Sequence, residues 1–362
     1  MCWLRNSPPA VQTPGNAGKR RGMFSAAGPS TATVETAMTA LAAPPRKLVI
    51  GPQLGQDAIE RIRLLAPDTH VVRTDRLRPD PDLASADAVW FGQGEVDGEQ
   101  LLEIAPGLRW LQTFGAGVER WLTPRFVESD VVLTNTSGIH GIQIAEHVLA
   151  LMLAFARGLP RLVQSQRHQA LHHPRLDQFE LAGQTLVIVG FGRIGQALAL
   201  RAAALGLTVI GVKRHNAPPP EGVTAIVGSE DVDRALALAD HVVAALPLTA
   251  NTRHFFDERR FAQFKRGAYF YNVGRGGSVD HAALLGALTH GRLAGAGLDV
   301  TDPEPLPPHH PLRRSEKVIL TVHTAGASPR YFDRALAVAL DNLKRLRQGR
   351  PLVNVVDKRA GY

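Results

Sequence analysis

Residues 185–196 read TLVIVGFGRIGQ, and the fold follows from this stretch. Leu186-Val187-Ile188-Val189 is the short apolar, β-branched run that a buried parallel strand carries. Gly190, Gly192 and Gly195 come next, in the spacing G-x-G-x-x-G, and an alanine- and leucine-rich segment from Gln196 to Leu205 is predicted helical. Strand, glycine turn and helix in that order make a pyrophosphate cradle. Gly190 allows the tight turn, Gly192 lets the backbone approach the phosphates, and Gly195 lets helix and strand pack closely. The anion would sit on free N–H groups at the helix N-terminus, beside Arg193 and Ile194. The same spacing also occurs in plain glycine-rich turns. Here the flanking strand and helix favour dinucleotide binding.

Outward from the motif, strands alternate with helical segments. Short strands are expected at Lys47–Ile50, His70–Arg73, Ala88–Phe91, Leu108–Gln112 and Val131–Thr134. Beyond the motif, strands are expected at Leu207–Val212, Asp240–Leu246, Ala268–Val273, Leu293–Val300 and Val318–Val322. The implied fold is α/β, with two Rossmann-like, doubly wound parallel-sheet domains around a cleft. The apolar spacing of Ile144, Val148, Leu149, Leu151, Met152 and Phe155 predicts a helix from Ile142 to Arg157, long enough to lead from one domain to the other. A last helix is expected from Tyr331 to Gln348, and residues 158–183 read as a solvated connector. His168, His172 and His173 cluster in that connector, but no carboxylate–histidine spacing accompanies them, so no metal is expected there.

Composition narrows the function. In residues 1–47, Arg5, Lys19, Arg20, Arg21, Arg46 and Lys47 face Glu35 alone, so most of the net charge of +8 belongs to that segment. A basic tail is not a nucleic-acid face, and no nucleic-acid partner is expected. Cys2 is the only cysteine, which rules out an intramolecular disulfide. No apolar run approaches the ~20 residues that span a bilayer, and no secretory h-region is visible, so the expected location is cytoplasmic with no membrane partner. Residues 1–46 lack apolar periodicity and read as a disordered extension. Their acid-poor, arginine-containing composition is shared with transit peptides, and a true start at Met23 or Met38 is the other alternative.

The residues that carry chemistry stand at strand ends. Thr113-Phe114-Gly115-Ala116-Gly117-Val118-Glu119 is a glycine-rich turn after a strand, where open α/β sheets place ligands; its amides could hold a small carboxylate or simply form a turn. An NAD-binding unit usually carries Asp or Glu at the end of its second strand, ~20 residues past the glycines. Lys213 and Arg214 stand there instead, and they attract a 2′-phosphate that a carboxylate would repel. NADP(H) is therefore expected in preference to NAD(H). Hydride transfer to a ketone needs a cation to polarise the carbonyl and a proton donor for the alkoxide. Arg275 supplies a guanidinium fork that also grips a carboxylate. His323 is the natural proton donor, and Glu304 can orient its ring.

In combination, VGFGRIG, NVGRGGSVD, GLDVTDPEPLP and TVHTAG resemble the D-isomer-specific 2-hydroxyacid dehydrogenases, over about Lys47 to Asn354. The resemblance implies Arg275 as the substrate-binding arginine, Glu304 and His323 as the acid/base pair, and the amides of Ala116 and Gly117 as the holders of the substrate carboxylate. It also implies Asp299 beside the nicotinamide carboxamide, with Pro247, Thr252 and Val273 along the cofactor. The substrate domain is then 47–137 with 327–362, and the dinucleotide domain 138–326. Three departures stand out: Lys213-Arg214 for the usual acidic strand end, Val322 where proline commonly precedes the histidine, and Glu119 where aspartate is frequent. Formate dehydrogenases of the same superfamily pair their histidine with glutamine, so Glu304 argues against that activity.

The expected function is reduction of a small 2-keto acid such as glyoxylate or hydroxypyruvate, by a homodimer. The alternatives are a corepressor-like nucleotide sensor or an NAD-linked dehydrogenase of a larger 2-hydroxy acid. Trp90, Phe91 and Phe114 are candidates for lining the cleft, and core packing accounts for them equally well.

Overall fold

The computed structural model describes residues 41, 43–92, 96–167 and 178–361. His168, His172 and His173, and nearly all of the N-terminal extension, lie outside them. The chain builds two parallel sheets. The first holds β1 (Lys47–Ile50), β2 (His70–Arg73), β3 (Ala88–Phe91), β4 (Trp110–Thr113) and β5 (Val132–Thr134), in the order β2-β1-β3-β4-β5. The second holds β6 (Thr185–Val189), β7 (Thr208–Val212), β8 (Ala225–Val227), β9 (His241–Ala244), β10 (Ala268–Asn272), β11 (Leu293–Leu298) and β12 (Val318–Leu320), in the order β12-β11-β10-β9-β6-β7-β8. In each sheet the strand order reverses once, between β1 and β3 and between β6 and β9. Ligands of doubly wound sheets bind in the crevice outside the strand ends at such a point.

Helices α1 (Gln56–Leu65), α2 (Gly98–Ile104), α3 (Gly141–Ala156), α4 (Leu159–Arg167), α5 (Arg193–Ala204), α6 (Val232–Leu238), α7 (His281–Thr289) and α8 (Tyr331–Arg347) are joined by shorter helical turns. Local chemistry sets several starts. Asp97 and Gln100 form a capping box on α2, and the Asp280 carboxylate accepts from the amides of Ala282 and Ala283 to cap α7. Apolar stripes set where the helices go. The α3 face of Ile144, Val148, Leu151 and Met152 packs with Leu186, Ile188 and Tyr271 of the second sheet. By contrast, α8 sends Ala335, Leu336, Ala339, Leu340, Leu343 and Leu346 into the core of the first sheet, with Leu48, Ile50, Trp90 and Trp110. The chain thus crosses to the second sheet through α3 and returns through α8.

Two expectations need correction, and one open alternative is decided. Helix α5 begins at Arg193, three residues before Gln196, with Gly192 as its N-cap. The glycine turn has no apolar periodicity, so only the later part of the helix is visible as a pattern. Within 158–183, Leu159–Arg167 is helical, although none of its residues is buried. Trp90, Phe91 and Phe114 are core side chains, with Trp90 packed edge-on against Trp110 at 5.5 Å.

One buried histidine ties stability to pH. His241 is fully buried in β9, with Nε2 2.6 Å from Gln184 Oε1 and Nδ1 3.1 Å from Tyr271 Oη. The amide oxygen only accepts, so Nε2 carries the proton and the tyrosine hydroxyl donates to Nδ1. Burial holds this imidazole neutral down to about 4, against an ordinary value of 6.5, and the nearby Asp240 offsets only part of that shift. As the pH falls, the unfolded chain takes up its proton first. The contribution is fully present above 6.5 and is lost as the pH falls toward 4, where the cost reaches about 3 kcal/mol. Urea titrations at both ends of this window should show a smaller acid loss for His241→Asn than for the unsubstituted chain. An equal loss would contradict the assignment.

Candidate active site

The turn after β6 sits in the crevice of the second sheet. Gly190 has φ +94°, and a Cβ there would lie 2.6 Å from the Ala245 carbonyl oxygen, so only glycine fits between the ends of β6 and β9. Gly192 faces open space, and Gly195 backs onto Ile188 and Phe191. Helix α5 starts at once, which leaves the free N–H groups of its first turn at the crevice. Arg193 is exposed at that end, while Ile194 packs into the core beneath it.

The amides of Gly190 and Phe191 donate to the Val212 carbonyl at 3.2 and 3.0 Å, which places the turn against the last residue of β7. Lys213 and Arg214 follow directly, with Lys213 exposed. Across the crevice, Thr252 Oγ1 donates to the Pro247 carbonyl at 2.6 Å and accepts from the Thr249 amide at 2.8 Å. This fixes the turn after β9. Val273 continues β10, its amide donating to the Ala244 carbonyl. A glycine cradle at a helix start with a basic strand end beside it fits a phosphorylated dinucleotide.

Two polar turns project from the ends of β10 and β11. At β10, Asn272 Nδ2 donates to the Arg275 carbonyl at 3.0 Å and its Oδ1 accepts from the Gly274 amide at 3.1 Å. Ser278 Oγ adds a bond to the same carbonyl at 2.7 Å. The backbone carrying Arg275 is therefore held from three sides. Arg275 Nη1 donates to the Gly274 carbonyl and Nε to Glu119 Oε1, both at 2.9 Å. Glu119 lies just past the glycine loop of the first sheet. In that loop the carbonyls of Gly115 and Ala116 accept from the Thr136 amide and Asn135 Nδ2. The amides of Ala116 and Gly117 have no acceptor among the described residues.

Glu304 and His323 meet directly, with His323 Nδ1 2.6 Å from Glu304 Oε1. A carboxylate only accepts, so Nδ1 carries a proton and Nε2 is the nitrogen left for chemistry. Glu304 Oε2 in turn accepts from the Thr301 amide at 3.1 Å. Gly276 backs directly onto Thr301, so the Arg275 turn and the loop leading to Glu304 are neighbours.

Buried Asp299 organises the other side of His323. Its Oδ1 accepts from Thr321 Oγ1 at 2.6 Å and the Thr324 amide at 2.9 Å, and its Oδ2 from the Ala325 amide at 3.0 Å. The His323 amide donates to the Asp299 carbonyl at 2.8 Å. These bonds wrap the backbone around the carboxylate and hold His323 at φ +55°. His147 of α3 stands behind, its Nε2 3.1 Å from Thr321 Oγ1.

Further polar groups close the cleft. The Tyr331 hydroxyl donates to the Phe114 carbonyl, so α8 pins the start of the glycine loop. The Tyr331 ring packs on His140 at 5.3 Å. Burial first, then the charges of Arg275 and Arg334, lower the basicity of His140 and favour its neutral form. Asn272, Thr321, His140 and Tyr331 escape sequence reasoning. For Asn272 and Thr321 there was a signal, a polar side chain at the end of an apolar strand. Among the described residues no group of three or more His, Cys, Asp or Glu is placed to hold a metal, and no single helix is long and apolar enough to cross a membrane.

A dinucleotide crevice beside an arginine, a glutamate and a histidine defines a nicotinamide-dependent oxidoreductase. Residues 149–325 match the family model described as D-isomer specific 2-hydroxyacid dehydrogenase, NAD binding domain. A glyoxylate/hydroxypyruvate reductase B of Salmonella newport is 34% identical over 301 residues, covering 80% of this chain and 92% of that one. A D-3-phosphoglycerate dehydrogenase of Methanocaldococcus jannaschii is 30% identical over 317 residues, 86% of this chain, and the match spans only 59% of that longer protein. An NADPH-dependent glyoxylate/hydroxypyruvate reductase of Sinorhizobium meliloti, solved with NADP and sulfate, superposes with a TM-score of 0.73 at 29% identity, over 87% of this chain and 99% of that one. The chain belongs to the D-isomer-specific 2-hydroxyacid dehydrogenases, which are NAD(P)-dependent enzymes.

Proposed function

We propose that this chain reduces glyoxylate and hydroxypyruvate, using NADPH in preference to NADH. The observation that carries the reading is the 2.6 Å pair of His323 and Glu304, set beside the Arg275 turn at the strand ends of the dinucleotide sheet. A bound reduced nicotinamide supplies the hydride. Arg275 and the amides of Ala116 and Gly117 hold the substrate carboxylate, Arg275 polarises the 2-keto oxygen, and His323 Nε2 gives that oxygen its proton. Glu304 keeps the proton on Nδ1 and fixes the plane of the ring, so that Nε2 faces the substrate. We assign residues 47–137 with 327–362 to the substrate and 138–326 to the dinucleotide. A cytoplasmic homodimer completes the reading, supported by exposed Leu153, Leu159 and Val163 on α3 and α4. Sedimentation equilibrium tests the assembly.

A panel of 2-keto acids against both cofactors tests the function. Glyoxylate and hydroxypyruvate with NADPH should give the highest kcat/KM. No turnover across the panel, with tight cofactor binding, would favour a nucleotide-sensing protein. Replacing Lys213 and Arg214 together with alanine should lower the NADPH/NADH preference by roughly 10- to 100-fold, the worth of one or two charge-assisted phosphate bonds. An unchanged ratio would remove them from the 2′-phosphate site.

A further inference from the structure

Glu119 and Arg275 come from different sheets, 156 positions apart, yet Arg275 Nε donates to Glu119 Oε1 at 2.9 Å. Arg275 Nη1 is turned to the Gly274 carbonyl. With two edges of the planar guanidinium tied, Nη2 has one orientation, and it is pressed against Gly117. A Cβ on Gly117 would overlap Nη2 and would lie 2.8 Å from Glu119 Oε2. Gly117, Glu119 and Arg275 therefore form one packed unit, with the Gly117 backbone against the untied corner of the fork. A guanidinium held this way meets a planar carboxylate in a fixed plane, whereas a loose one would spread over several rotamers.

We infer that Glu119 is a positioning residue for substrate binding. It holds Arg275 so that Nη2 and the Gly117 amide face the same carboxylate, and it links the two sheets across the cleft. The inference rests on the proposed role of Arg275. It also assigns the direction of the effect. A glutamate competing with the substrate for Arg275 would tighten binding when removed, whereas a positioning glutamate weakens it. Both partners are partly exposed, at 30% for Arg275 and 44% for Glu119, so solvent screening keeps the effect moderate.

Oxamate, an unreactive 2-oxo carboxylate, can be titrated into the NADPH complex of the full chain, followed by nucleotide fluorescence. Glu119→Ala should weaken oxamate by roughly 10-fold, the lower end for a bond to a charged group, and raise KM for glyoxylate in parallel, with a smaller fall in kcat. NADPH affinity should stay as in the unsubstituted chain, and Glu119→Gln, which keeps an acceptor, should fall between. In an Arg275→Ala background, Glu119→Ala should add no further loss, because the group it positions is gone. Tighter or unchanged oxamate binding would overturn the inference, as would a repeated loss of roughly twofold or more in that background, beyond ordinary additivity error. If Arg275→Ala itself leaves oxamate binding unchanged, the role of Arg275 fails first and the inference falls with it. Oxamate binding without glyoxylate turnover would overturn the proposed reaction and leave the positioning of Arg275 standing.

Discussion

Replacing His323 with alanine is expected to lower kcat for glyoxylate reduction by roughly 100- to 10,000-fold, the usual range for a general acid, with a much smaller change in KM. The carbonyl oxygen gains negative charge as hydride arrives, and an alkoxide without a proton donor must borrow from water. His323 presents one ring nitrogen for this, because Nδ1 is committed to Glu304 at 2.6 Å. Steady-state kinetics at saturating NADPH measures the loss, and near-wild-type kcat would remove His323 from the proton step. The reaction direction adds a signature. Reduction uses the donor and the reverse oxidation uses the same nitrogen as acceptor, so His323→Ala should slow both directions. Glu304→Gln should keep an acceptor for Nδ1 but weaken a charge-assisted bond to a neutral one, so its kcat should lie between those of the intact chain and His323→Ala.

These residues were legible because a parallel sheet puts all its strand C-termini on one edge. Arg275, Asp299 and His323 follow runs of β-branched and apolar residues, so their shared edge can be read without coordinates. The contacts among them cannot. Glu119 appeared as the acid closing a glycine loop, at a position where aspartate is frequent, and its partner did not appear, since nothing periodic in a sequence joins positions 119 and 275. Asp299 appeared as a cofactor neighbour, whereas its carboxylate also folds the backbone of residues 321–325 around itself. β8 was missed because Ala225–Val227 offers three residues, too few for an alternation to show. Trp90 was ambiguous because a large aromatic near the end of a strand suits a cleft and a core equally, and only its complete burial decides.

Arg275→Ala should cost more than any other change on the binding side, roughly 1,000-fold in kcat/KM, spread over both parameters. In the proposed mechanism two roles converge on this side chain. Gripping the carboxylate lowers KM, and polarising the keto oxygen acts most strongly where charge develops, so it raises kcat. Removal also leaves Glu119 without its partner at 2.9 Å, a bare carboxylate beside the loop that should receive another. The loss should therefore exceed that of the missing contacts alone. Arg275→Lys separates the parts, because an ammonium keeps the charge but cannot bond Glu119, the Gly274 carbonyl and a substrate in one plane. It should recover part of kcat and little of KM. If the alanine variant kept its kcat/KM, the substrate would be anchored elsewhere, and the free amides of Ala116 and Gly117 would have to hold it alone. If lysine restored both parameters, charge without geometry would suffice, and the bonds of Nε to Glu119 and of Nη1 to the Gly274 carbonyl would have no catalytic purpose.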